Sequence, residues 1–178
     1  MTPRLVAAGL LVAAALTACS SDADPESSPT PPTPTDVWNP CDGLSADRVS
    51  GALGTDVRME TGSADAPRCA FLPKAQGGPV VTVTYTLAPG GLDAIWQTMG
   101  DIPGGQVTRP RLPHADAARL VVSSRRKLSA ATGFVQNGGL VQVVNTADPR
   151  PFDEAAVVRV TMLVLRDLAE HADEAGVS

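Results

Sequence analysis

Two periodicities organise the chain. From Val80 to Leu87 the residues alternate, with Val81, Val83, Tyr85 and Leu87 on one face and Thr82, Thr84 and Thr86 on the other, the pattern of a half-buried strand. Leu92, Ile95, Trp96 and Met99 then recur at helical spacing between Gly90-Gly91 and Gly100, which predicts a helix packed on a core. Strand character returns at Ala118 to Ser123, Ala130 to Gln136 and Leu140 to Asn145, and Asn137-Gly138 between the last two is a turn pair favoured by two-residue hairpins. Arg68 to Leu72 reads as one further strand, while Asp101 to Asp116, rich in Gly, Pro and Arg, reads as a long loop.

Helices close both ends of this pattern. Near the start, Ser45 is suited to cap a short helix ending at Leu53-Gly54, because its hydroxyl can accept from the free amides of the first turn. Leu44 and Val49 are spaced as a hydrophobic staple across that cap. From Phe152 to Ala172, Val157, Val160, Val164 and Leu168 line one stripe of a long helix, widened by Val158, Met162, Leu165 and Ala169. Arg159, Arg166, Glu170 and Asp173 lie opposite, so this helix should cover one face of a sheet. Helix, strands, helix, strands, helix, with hairpins and no regular βαβ alternation, argues an α+β fold with a mainly antiparallel sheet.

The N-terminus is of a different kind. Arg4 precedes an uninterrupted apolar run from Leu5 to Leu16, too short for a hydrocarbon core that needs roughly 20 helical residues and consistent with an export signal. Leu16-Thr17-Ala18-Cys19 resembles the bacterial lipobox, in which a thiol takes a diacylglyceryl group before cleavage on its N-terminal side. That resemblance implies a signal peptide over 1–18, Cys19 as the lipidated first mature residue, and a protein held on the extracytoplasmic face of the cell membrane. Residues 20–40 hold Pro25, Pro29, Pro31, Pro32, Pro34 and Pro40 among Ser, Thr and Asp, a composition that builds a tether and no core. About twenty residues in polyproline geometry span some 60 Å at most. One extracytoplasmic domain, 41–178, follows.

With Cys19 assigned to lipid, Cys41 and Cys69 remain in an exported compartment where disulfides persist. They are expected to pair; the alternative, two ligands of a metal site, lacks partners, since neither His114 nor His171 stands at ligand spacing to them. A Cys, then Leu44-Ser45, a helix ending Leu53-Gly54, and later Cys69 with Phe71 resembles a group of actinobacterial lipoproteins of unknown function, which usually show Trp where Phe71 stands. The resemblance implies an exported lipoprotein with a disulfide and carries over no active site. A PsbP-like or Mog1-like sandwich, which another group of actinobacterial lipoproteins resembles, is the specific fold expected.

Charge narrows the function classes. The net charge is −5, but four acidic residues precede Cys41, and from Cys41 onward 13 basic face 15 acidic side chains. Nothing in so nearly neutral a balance suggests a nucleic-acid binder, and none is expected as a partner. Within it, Arg109, Arg111, Arg119, Arg125, Arg126 and Lys127 fall in nineteen positions, opposed only by Asp116. Such a run suits an anionic partner, whether lipid, envelope polymer or protein; it also suits a solvated loop and a strand edge guarded against aggregation. No catalytic triad, metal cluster, phosphate loop or cofactor fingerprint stands out, so neither cofactor nor metal is expected. His114 and Asp116 could form a base with an orienting carboxylate, yet no nucleophile accompanies them. His171 sits where a helix dipole ends, and Trp96 with Met99 fits either core packing or a ligand cavity. The reading is therefore a lipid-anchored, non-enzymatic binding module of the cell envelope, with carriage of a small apolar or lipid ligand, or an envelope hydrolase, as alternatives.

Overall fold

A computed structural model describes residues 38–100, 102, 104–125 and 127–177. The lipobox, Cys19, most of the proline-rich segment and Arg126 lie outside the described residues. Helix α1 (Ala46–Leu53) leads to β1 (Val57–Ser63), β2 (Ala66–Pro73) and β3 (Val80–Leu87); α2 (Gly91–Met99), β4 (Gln106–Thr108), β5 (Ala117–Arg125), β6 (Leu128–Asn137), β7 (Leu140–Pro149) and α3 (Glu154–Glu174) follow. The fold is α+β. All seven strands form one open antiparallel sheet in the order β1-β2-β3-β7-β6-β5-β4. Two meanders, β1 to β3 and β5 to β7, thus meet where β3 pairs with β7.

The alternation along each strand sends one set of side chains to each face. On one face Phe71, Val81, Val83, Val135 and Val144 meet Val160, Val164, Leu165 and Leu168 of α3, and Val49 and Leu53 of α1 complete that core. Gly133 lets α3 come close, because a Cβ there would lie 2.6 Å from Leu165 Cδ1 and 2.9 Å from Thr161 Cγ2. Two of the polar pairs in this core are bonded: Thr146 and Thr161 hydroxyls lie 2.7 Å apart, and Gln142 donates to the Leu168 carbonyl while accepting from Trp38 Nε1. On the opposite face α2 seats Leu92 against Val121, Phe134 and Val141, with Trp96 edge-on to Phe134.

Capping follows the local chemistry. Ser45 accepts from Arg48 N, Gly54 takes the left-handed φ of 71°, and Asp153 accepts from Ala156 N to start α3. The disulfide joins Cys41 to Cys69. It ties the segment before α1 to β2, with both sulfurs in the main core.

Two expectations need correction, and one strand stands where none is expected. The 101–116 stretch is not all loop, since Gln106–Thr108 pairs with β5 as an edge strand whose residues are all exposed. Val57–Ser63 is also a strand; with only Val57 buried, it has no alternation to reveal it. The β6–β7 turn is Gly138-Gly139, with Asn137 still paired to Leu140. Gly138 takes φ 53°, while buried Asn137 is kept for side-chain bonds to the carbonyls of His114 and Ala169.

Candidate functional site

The arginine run is divided by the fold. β5 is extended, so Arg119 near its start and Arg125 at its end stand about 20 Å apart at roughly 3.3 Å per residue. Arg125 and Lys127 sit at the β5–β6 hairpin, where Arg125 pairs with Leu128. Arg109, Arg111 and Arg119 instead line one open cleft of about 490 Å3, together with Asp93, Pro110, Ala117 and Ala118. An adjoining hollow of about 300 Å3 shares Pro110, Arg111, Ala117 and Ala118 and adds Leu112, Ala115 and Asp116.

Each wall of the cleft is fixed by identifiable contacts. Arg119 pairs with Phe134 across the sheet and so projects to the α2 face, where its guanidinium lies 4.5 Å from the centroid of the Trp96 ring. Its Nη2 forms an ion pair with Asp93 Oδ1 of α2. A cation over an indole face gains from the ring quadrupole, and more so when shielded from water; Arg119 is only 8% exposed. Gln136 holds the start of α2 in place, accepting from Leu92 N at 2.7 Å and donating to the Gly138 carbonyl.

The opposite wall is the 109–116 segment. Pro110 and Pro113 restrict its backbone, and its far end is pinned to the body of the domain. His114, at φ 62°, bonds through Nδ1 to Asp173 Oδ2 at 2.7 Å, and its carbonyl accepts from Asn137 Nδ2. Asp116 N donates to the Gln136 carbonyl, while its Oδ2 accepts from Gly138 N at 2.7 Å. Leu112 and Ala115 rest against the main core. Arg109 and Arg111 remain exposed, and among the described residues neither forms an ion pair.

This geometry redistributes the other candidates. His114 and Asp116 do not form a dyad: the imidazole engages Asp173, and the carboxylate locks the β6–β7 turn. His171 lies 5.3 Å from the Trp38 ring. Trp96 packs between Phe134 and Arg119, whereas Met99 is 45% exposed. Among the described residues no group of three or more His, Cys, Asp or Glu is placed to hold a metal ion. No protein-family model matches the chain, nor does any curated protein.

Asp167 on α3 is a buried carboxylate that no motif in the sequence marks. Its side chain is 3% exposed, and Oδ1 lies 2.9 Å from Arg48 Nη2. Burial raises its pKa above the ordinary carboxylate value, the Arg48 charge opposes that shift, and nearby Glu170 adds to it. Asp167 holds α1 to α3 and lies outside the cleft. Another hollow, about 180 Å3, is lined by Trp38, Pro40, Gly62, Pro67 and Arg68 among others.

Proposed function

We propose that the protein is an extracytoplasmic lipoprotein, anchored through Cys19, that serves as a non-enzymatic binding module of the cell envelope and takes an anionic partner in the arginine cleft. The observation that carries the reading is the concave grouping of Arg109, Arg111 and Arg119, two of them exposed and without an ion pair among the described residues. A cleft in which one sign of charge predominates raises the local concentration of the opposite sign and speeds its capture. Cys19 follows the apolar run and precedes a proline-rich spacer, which supports placing the domain clear of a membrane surface. Helices on both faces of an antiparallel sheet support the finer proposal of a PsbP-like or Mog1-like sandwich.

Carriage of an apolar ligand has less support. The hollow at Trp38 is about 180 Å3, below the ~300 Å3 at which small-molecule sites begin, and the two larger hollows carry charged side chains, Asp93, Arg109, Arg111 and Arg119 in one and Arg111 and Asp116 in the other. The hydrolase alternative loses its dyad, because His114 and Asp116 engage different partners.

Two measurements test the proposal. Labelled palmitate should enter the wild-type protein and be lost in Cys19→Ala; equal detergent partitioning of both would refute the anchor. Crosslinking of the anchored protein in its own envelope should capture a partner that Arg109→Glu with Arg111→Glu releases, whereas Arg125→Glu, Arg126→Glu and Lys127→Glu together should leave capture unchanged. Loss with the hairpin variant alone would move the site to the other half of the arginine run.

A further inference from the structure

We infer that the arginine cleft binds the phosphate group of an organic phosphate ester. The inference rests on the cleft being the binding site and adds the chemistry of its occupant. Three arginines and one aspartate line the concavity, leaving a surplus of positive charge that a polyvalent anion would balance. Arginine suits that anion because its planar fork of N–H donors matches phosphate oxygens in pairs. Arg119 cannot swing away, being stacked on Trp96 and tied to Asp93 through Nη2. A guanidinium has five N–H donors, so the pair with Asp93 does not exhaust it.

Arg109 and Arg111 supply the exposed part of the contact from a segment that is itself held. Pro110 stands between them and lines the same cleft, and the His114–Asp173 and Asp116–Gly138 bonds fix the segment downstream. Less ordering is then needed when a ligand arrives, and the entropic cost of binding falls. An acidic peptide would present its carboxylates one by one along an open surface. Here three arginines line a single concavity, an arrangement that favours several oxygens on one centre.

The rest of the ligand also has a place. The adjoining hollow shares its wall at Pro110 and Arg111 and continues over Leu112 and Ala115, side chains without charge. A phosphate ester can thus set its oxygens among the arginines and lay a neutral or apolar body along that wall. The phosphate could belong to a membrane lipid or to a soluble ester; the site chemistry is common to both.

The test uses the chain from residue 19 onward with Cys19→Ala, so that no acyl anchor contributes. Inorganic phosphate and glycerol 3-phosphate are titrated calorimetrically, and vesicles of phosphatidylglycerol in phosphatidylcholine are compared with phosphatidylcholine alone by co-sedimentation. Saturable binding of glycerol 3-phosphate, tighter than inorganic phosphate and weakened roughly tenfold or more in Arg109→Ala with Arg111→Ala, is expected. Arg119→Lys should weaken it while keeping the charge, because the fork geometry is lost. Arg125→Ala with Lys127→Ala should change nothing. Binding confined to phosphatidylglycerol vesicles and sensitive to Arg109 and Arg111 identifies a lipid phosphate, and binding of the soluble ester alone a soluble one; either supports the inference. Absence of saturable binding in both arms overturns it. If, in that case, envelope crosslinking still shows capture dependent on Arg109 and Arg111, the cleft remains a binding site for a partner of other chemistry. If capture is also insensitive to them, the binding-site reading falls with it.

Discussion

Replacing Cys41 and Cys69 together by Ala should lower the stability of the domain by about 4 to 5 kcal/mol, most of it through the unfolded chain. The bond closes a loop with a sequence separation of 28. For a loop of that length the chain-entropy relation gives about 3.5 kcal/mol at 25 °C. Truncation adds a packing term, because Cys69 is wholly buried beside Phe71 and Val83 and Cys41 nearly so; loss of one or two buried heavy atoms costs on the order of 1 kcal/mol. A domain of about 140 residues unfolds with an entropy near 0.3 kcal/mol per kelvin, so the entropic part alone corresponds to a fall of roughly 12 °C in Tm. Urea titration separates the two contributions. Loss of the cross-link lets the unfolded chain expose more surface, so the m-value should rise as the midpoint falls, whereas a pure packing defect moves the midpoint alone. Reducing the wild-type protein should reproduce the rise in m. A double variant within about 2 °C of wild type, or a large loss with no change in m, would refute this account of the disulfide.

Asp167→Asn should stabilise the protein at neutral pH, because burial raises the carboxyl pKa above 3.8 and its ionisation opposes folding. With the folded-state pKa raised, this group's stabilising contribution is fully present below about 3.8 and is lost as pH rises through the folded value, so the advantage of Asn should shrink on acidification; urea midpoints at several pH values check the trend, and an Asn variant less stable at pH 7 contradicts it. Gly133→Ala should cost about 1 to 3 kcal/mol, since its Cβ would meet Leu165 and Thr161 of α3 at under 3.0 Å. Thermal unfolding measures it, and an unchanged Tm would show that α3 can retreat without loss. Asn137→Ala should destabilise by about 1 to 3 kcal/mol, as the carbonyls of His114 and Ala169 lose a shared donor. Faster amide exchange at Asp116 would follow, and unaltered exchange there would deny Asn137 its part in holding the 109–116 segment.

Legibility in this chain tracked burial. Val81 and Val83 alternate with threonines because one face of β3 meets α1 and α3, and the stripe on α3 is readable because Val160, Val164 and Leu168 all seal that core. β1 and β4 are edges with little to bury, so their side chains answer to solvent and leave no period. The β6–β7 turn lies one residue beyond Asn137-Gly138 for a tertiary reason. Asn137 looks like a turn former, but its amide is drawn inward by carbonyls from a loop and a helix far away in sequence. His114 and Asp116 look like a dyad for the opposite reason: sequence proximity hides the fact that Asp173 and Gly138 claim them separately.

The arginine run shows how spacing along a chain can mislead about charge in space. Six basic residues within nineteen positions read as one patch, yet the first group lines a cleft at the start of β5 and the hairpin pair stands at its far end. Nor could the run announce that Arg119 differs from its neighbours. Its distinguishing partners, Asp93 and Trp96, come from α2, more than twenty residues earlier, and only the seating of α2 over β5, β6 and β7 brings them together. That seating depends on Gln136, which accepts from Leu92 at the start of α2 and also fastens the Gly138 carbonyl, while Asp116 bonds the same glycine's amide. The β6–β7 turn therefore joins both walls of the cleft: α2 with its hold on Arg119 on one side, and the segment bearing Arg109 and Arg111 on the other. A ligand bridging those arginines would draw on the rigidity of that turn without touching it.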